Sequence, residues 1–331
     1  LMAFTLGIDI GTYETKGVLV DHTGAVRSQA ARGHKMLVPQ PGWAEHSPEK
    51  DWWGDFVFIC KKIIKDSGID PSEIKAVACS AIGPCMLPVD AEGKPLMNGV
   101  LYGVDGRAEA EVRYLTDIIG KDAIISQCGN ALTSQSVGPK ILWLKRKRPE
   151  VYAQTAYILT STSFLVQRLT GQTVIDHYTA ANFSPLYDVN TQSWTNELND
   201  DIIPLEKLPR LLWSNEIAGE ITVEAAGITG LKAGTPVTAG TIDAAAEAIS
   251  VGATLALNEE EYILPMHRNL GVFTSRGIPL NRLFAQFQGK MSGFTKGRDR
   301  SFHFGTQHHK IVGMISHLGP QMGVADGIAL G

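Results

Sequence analysis

Residues 7–21 read GIDIGTYETKGVLVD. An apolar run that starts at Phe4 stops at Asp9, two small residues follow, and a second apolar run begins after Lys16 and ends at Asp21. With AVRSQAARG (25–33) behind the turn DHTG (21–24), the pattern predicts three consecutive strands. A carboxylate at the end of a buried strand is costly unless it is hydrogen-bonded, paired or metal-bound. One reading makes Asp9 a turn residue that caps the backbone of Gly11-Thr12-Tyr13. The other makes the turn a phosphate cradle. Gly11 lets the backbone approach, the amides of Gly11 and Thr12 and the hydroxyls of Thr12 and Thr15 donate, Lys16 adds charge, and Asp9 holds a hydrated Mg²⁺. GxxxxGK[ST] is absent and no helix follows, so this is not a P-loop.

Farther along, PQPGWAEHSP (39–48) is a loop, and Ser47 with Pro48 opens a helix that Gly68 ends. A buried strand is predicted at 74–82 and a hairpin at 86–103. Helices are predicted at 107–120, from Pro139 to Tyr152, and from Ser163 to Gly171, with a strand at 156–160. TPVTAGTID (235–243) is a strand running into an Ala-rich helix that reaches Gly252. A meander followed by alternating strands and helices predicts an α/β mixed sheet with helices on both faces. From residue 254 the composition changes. Five of the nine histidines (His267, His303, His308, His309 and His317) lie there, with eight Lys/Arg against five Asp/Glu. The remainder then carries about −7 of the overall −4. Helical periodicity is poor there, and only short elements are expected.

The 331 residues hold one large or two ordinary domains. Net charge −4 and a pI near 6.2 argue against nucleic-acid binding. No apolar run approaches the roughly 18 residues of a membrane span, and the N-terminus has no signal-peptide pattern, so a cytoplasmic protein is expected. Cys60, Cys79, Cys85 and Cys128 show no CxxC pair or metal spacing and read as reduced core thiols.

Other residues can carry chemistry. Asp243 ends an apolar strand and starts a helix. It reads as a plain N-cap or as a general base for an alcohol that attacks a phosphate, and one residue can do both. Gly240 and Thr241 leave accessible backbone beside it. Asp105 and Arg107 follow a strand and read either as a cap with a solvated arginine or as polyol contacts. Gly83, Pro84 and Cys85 follow the 74–82 strand, where small side chains and backbone can meet substrate. The six tryptophans read as packing residues, except Trp43 in its Pro/Gly loop. The tail histidines lack a metal-site pattern.

DIGTYETK, PGWAEHSPEKDWW, LYGVDGR, PKILWLKRKRPE, QRLTG, DHYTAANFSPLYDVNTQSW and AGTIDAAAEAISVGA occur in one order. Together they resemble the FGGY carbohydrate kinases over residues 4–253. The resemblance implies an actin-like, ribonuclease-H-like sheet and ATP- and Mg²⁺-dependent phosphorylation of a sugar, sugar acid or polyol. It assigns Asp243 as base and Asp9 as the Mg²⁺ residue through water. Gly11, Thr12, Thr15, Lys16, Gly240 and Thr241 take the phosphate side. Gly83, Pro84, Cys85, Asp105 and Arg107 take the sugar side, and a homodimer is common in the family. Residues 254–331 do not resemble the family's second, nucleotide-binding domain. Weak or absent turnover by this chain alone is therefore expected, with a non-catalytic sugar-binding remnant as the rival reading.

Overall fold

A computed structural model describes residues 3–246, 258, 260–263, 270–298 and 304–312. The expected helix beyond Ala246, and His267, His303 and His317, lie outside the described residues. The chain divides into two units, Leu1–Ala244 and Ala245–Gly331.

In the first unit, β1 (Phe4–Ile10), β2 (Glu14–Asp21) and β3 (Val26–Gly33) form the expected antiparallel meander. Phe4, Leu6, Ile8 and Ile10 alternate into the core, as a period of two requires. β4 (Ile74–Ala81) lies parallel to β1. β5 (Ile217–Glu220), β6 (Pro236–Thr238) and β7 (Thr241–Ile242) complete a seven-stranded sheet in the order β5-β6-β4-β1-β2-β3, with β7 also paired on β4. The predicted 235–243 strand is thus two strands. The break is Gly240, at φ 69°, where an added Cβ would lie 2.3 Å from the Cys79 carbonyl oxygen.

Helix α1 (Gly54–Ser67) follows one wide π-helical turn, Pro48–Trp53, whose cap is Ser47, and ends at Gly68 as expected. It packs on the face that carries Ile8. Gly17 makes this possible, because a Cβ there would lie 2.3 Å from Ile59. The later helices α4 (Ser161–Thr170) and α5 (Val223–Thr229) join α1 in one layer against this sheet.

A second cluster gathers around α2 (Glu109–Ile119) and α3 (Val137–Lys147). The single helix expected from Pro139 to Tyr152 starts two residues earlier and stops at Lys147. Pro149 forces Arg148 out of helical geometry, and a separate helix runs Pro149–Gln154. The expected 86–103 hairpin forms, with Asp90 and Lys94 closing its turn and Met86 paired with Val100, and both arms also pair with distant partners. Leu87–Val89 pairs with Tyr157–Leu159, and Gly99–Val100 with Glu45–His46.

The second unit has its own small core of Phe273, Ile278, Leu283, Phe304 and Ile311. Short helices at Leu270–Ser275 and Leu280–Phe287 carry part of it.

Candidate active site

Three strands, β1, β4 and β7, run parallel, so their C-terminal ends lie along one edge of the sheet. Asp9 is the penultimate residue of β1, and Ser80 lies opposite it on β4. The Ser80 hydroxyl donates to Asp9 Oδ1 at 2.6 Å. Lys16 faces Asp9 across the antiparallel pair, and its ammonium lies 3.4 Å from Glu14. Asp243 follows β7 directly and is half-buried, with Oδ1 accepting from the Ala244 amide at 2.8 Å. In parallel α/β sheets the strand ends are where ligands settle.

The β1–β2 turn corrects two expectations. The Gly11 amide donates to the Glu14 carbonyl at 3.0 Å, closing the turn, so it is not available to phosphate. Thr15 is fully buried, and its hydroxyl donates to Asp55 Oδ2 at 3.1 Å, on the α1 face of the sheet. Strand alternation sends Thr15 to that face and leaves Lys16 on the other. The Thr12 and Tyr13 amides meet no acceptor among the described residues, and the Thr12 hydroxyl shares a 3.1 Å hydrogen bond with Tyr102. The carbonyls of Gly11 and Thr12 are held by His34 Nε2 and His46 Nε2, each at 3.0 Å.

Gly240 and Thr241 also differ from expectation. Gly240 is packed against the β4 backbone. The Thr241 hydroxyl donates to Asp176 Oδ2 at 2.8 Å. Asp176 is buried, which raises its pKa, and it also caps the short helix His177–Ala180. These two residues shape the strand end that presents Asp243, and their polar atoms face inward.

On the expected sugar side, Pro84 and Cys85 are buried and only Gly83 is partly accessible. The Cys85 thiol donates to the Ile82 carbonyl at 3.4 Å. Burial first, with some help from the Asp243 charge, pushes its pKa up to about 12, so it stays a neutral thiol. Asp105 and Arg107 are neither a simple cap nor solvated. Arg107 Nε and Nη2 each lie 2.8 Å from Asp105, and Nη2 lies 2.9 Å from Glu45. Asp105 Oδ2 also accepts from the Ala44 amide at 2.6 Å. Trp43 lies over the guanidinium at 3.9 Å, so its loop position serves this ion pair. Of the Arg107 nitrogens, Nη1 is buried with no hydrogen-bond partner among the described residues. Behind this loop, Lys140 is fully buried and donates to the Leu101 and Tyr102 carbonyls at 2.6 and 3.0 Å. Burial lowers its pKa to about 8.

Sequence reasoning missed Ser80, Tyr102, His34, His46, Lys140 and Asp176. The bond that ties each of them to the site is long-range, from His34 to Gly11 at the near end to Tyr102 and Thr12 at the far end. Among the described residues, His308 and His309 belong to no group of three or more His, Cys, Asp or Glu that could hold a metal ion.

The donor set fits Mg²⁺ and phosphate. A half-buried carboxylate on an open strand end suits a hydrated hard cation, and two unpaired consecutive amides suit an anion.

A three-strand meander continued by parallel strands, with carboxylates at their C-terminal ends, defines the actin-like class. The crystal structure of xylulose kinase from Rhodospirillum rubrum superposes with a TM-score of 0.70 at 26% identity, covering 80% of this chain and 53% of that one. Gluconate kinase from Lactobacillus acidophilus gives 0.71 at 24%, covering 81% and 53%. The FGGY family of carbohydrate kinases, N-terminal domain, matches residues 4–250, and the chain belongs to this family. Among curated relatives, a xylulose kinase of Bacillus subtilis is 26% identical over 91% of this chain and 58% of its own length. A probable L-xylulose kinase of Pasteurella multocida is 31% identical over 76% and 52%. The chain thus spans little more than half of these relatives. Residues 231–331 also match the dehydrogenase E1 component family, overlapping the first match at 231–250.

Proposed function

We propose that this chain supplies the sugar- and phosphate-binding part of an ATP-dependent carbohydrate kinase acting on an open-chain sugar, sugar acid or polyol. The observation that carries this is the placement of Asp9 and Asp243 at the ends of β1 and β7, on either side of β4. In this reading Asp243 accepts the proton of the attacking hydroxyl as the new O–P bond forms and the bond to the leaving ADP breaks. Asp9, steadied by Ser80, holds Mg²⁺ through water, and Lys16 with the Thr12 and Tyr13 amides holds phosphate oxygens. The metal, when bound, neutralises charge that develops on the transferring group. Tyr102 ties the phosphate turn to the 101–107 loop, and the Asp105–Arg107–Glu45 network keeps that loop in shape, so the acceptor hydroxyl can be oriented toward Asp243.

The substrate class rests on likeness to xylulose and gluconate kinases, which makes a ketopentose or gluconate the first candidates. The four cysteines are buried free thiols, which suits a reducing cytoplasm. The likeness of residues 231–331 to another family supports reading the tail as something other than the kinases' nucleotide domain. It favours a second reading, in which the chain binds sugar without turnover. Calorimetry with Mg-ATP and with a panel of ketopentoses, gluconate and glycerol, beside a coupled ADP-release assay, decides between them. Micromolar Mg-ATP binding with sugar-dependent ADP release supports the kinase. Sugar binding without either supports the second reading, and no binding of any kind rejects both.

A further inference from the structure

We propose that His34 and His46 are positioning residues, a paired clamp that aims the Thr12 and Tyr13 amides at a phosphate group. The inference rests on the phosphate reading of the β1–β2 turn and adds the device that sets its geometry.

The two rings do different things. His34 Nδ1 lies 2.8 Å from Asp55 Oδ2 and its Nε2 lies 3.0 Å from the Gly11 carbonyl oxygen. Both partners only accept, so both ring nitrogens donate and the ring is an imidazolium. His46 Nε2 lies 3.0 Å from the Thr12 carbonyl oxygen, and its Nδ1 accepts from the Trp52 indole at 3.1 Å. An indole only donates, so His46 is neutral and carries its proton on Nε2. The rings meet edge to face, with centroids 4.8 Å apart. Both side chains are buried, with His34 3% and His46 0% exposed.

In a trans peptide a carbonyl and the following N–H point in opposite directions. Holding the Gly11 and Thr12 carbonyls against the ring pair therefore turns the Thr12 and Tyr13 N–H groups away from it. Those are the two amides of the turn that meet no acceptor among the described residues. Consecutive N–H groups aimed outward form an anion-binding concavity. Without the clamp either peptide plane is free to flip, and the concavity is lost.

The electrostatics agree. Burial opposes charge on His34, but the Asp55 bond and charge, the Gly11 carbonyl and Asp51 outweigh it and raise its pKa. Burial and then the His34 charge push His46 down to about 4. Arg32 lies 3.1 Å from the other Asp55 oxygen and completes the charged surroundings of the pair. A deprotonated His34 can donate to Asp55 or to Gly11 but not to both. The clamp therefore weakens as pH rises through the elevated pKa of His34.

Amide NMR of the full chain titrated with sodium sulfate tests this, since sulfate keeps its charge across the range. Sulfate is expected to shift the Thr12 and Tyr13 amides, with affinity falling about fivefold as pH rises through the elevated pKa of His34. His34→Gln should bind about fivefold more weakly below that pKa and show no slope. His46→Ala should also lose about fivefold, whereas His46→Gln, whose amide can donate to Thr12 and accept from Trp52, should recover binding. If sulfate shifts these amides but the variants keep wild-type affinity and slope, the clamp is rejected and the phosphate turn stands. If neither sulfate nor Mg-ATP shifts them, the phosphate reading fails and the clamp falls with it. Should a histidine variant not fold, the wild-type slope decides: a flat profile overturns the proposal.

Discussion

Ser80 on β4 donates its hydroxyl to the Asp9 carboxylate on β1 at 2.6 Å, across a parallel strand pair in which the two residues are direct partners. The bond fixes the carboxylate at the strand end and leaves its second oxygen for a ligand. Ser80→Ala should weaken Mg-ATP binding by about 1.5–3 kcal/mol, the usual worth of a hydrogen bond to a charged group. Asp9→Asn should weaken it further. Calorimetry with and without Mg²⁺ checks both, and an unchanged Mg²⁺ dependence in Asp9→Asn would remove Asp9 from the metal site.

Asp243→Asn should lower any sugar-dependent ADP release by about 10²–10⁴-fold, the range for loss of a general base. Sugar affinity and the thermal midpoint should change little, because the residue sits half-buried at a strand end. Normal turnover in this variant would assign the base elsewhere.

Arg107 holds Asp105 and Glu45 together with its guanidinium wholly buried. Arg107→Met should cost about 3–5 kcal/mol in urea unfolding, because it strands two carboxylates away from water. Arg107→Lys should not rescue it, since an ammonium cannot reproduce the planar fork or its stacking on Trp43. A loss below about 1 kcal/mol would show that the network relaxes around the gap.

Two glycines should respond in opposite directions to alanine. Gly240→Ala puts a Cβ 2.3 Å from a β4 carbonyl at a positive φ and should destabilise by more than about 1 kcal/mol. Gly227 lies within α5 with open space around it, and Gly227→Ala should stabilise by about 0.5–1 kcal/mol. Denaturant midpoints measured side by side decide this.

The histidine pair also predicts a pH profile for stability. His46 titrates near 4 when folded and near its ordinary 6.5 when unfolded. The unfolded chain therefore binds more protons between those values, and stability falls as pH drops through that window. The loss reaches at most about 3 kcal/mol. His34 has the opposite sign. Its raised pKa contributes stability that is complete below 6.5 and is lost as pH rises through the folded value. It is therefore flat across the acid window. His46→Gln should remove the acid loss, and equal acid profiles for variant and wild type would contradict the assignment.

Local chemistry in the sequence was enough to determine the meander, the Ser47-to-Gly68 limits of the first helical segment and the strand-end positions of Asp9 and Asp243. Period-two alternation, a capping serine followed by proline, and a terminating glycine each act within a few residues. The composition also changes near residue 253, and the chain divides into two compact units between Ala244 and Ala245.

Only the tertiary structure decided which polar atoms face a ligand. Thr15 and Thr241 looked like phosphate contacts, yet their hydroxyls turn to Asp55 and Asp176, 40 and 65 residues away. Thr12 meets Tyr102 across 90 residues. His34, just after β3, and His46, in the short strand Glu45–His46, reach the same turn from separate segments. A buried donor takes whatever acceptor the fold brings within about 3 Å, and that choice follows from packing between segments rather than from residue order along any one of them.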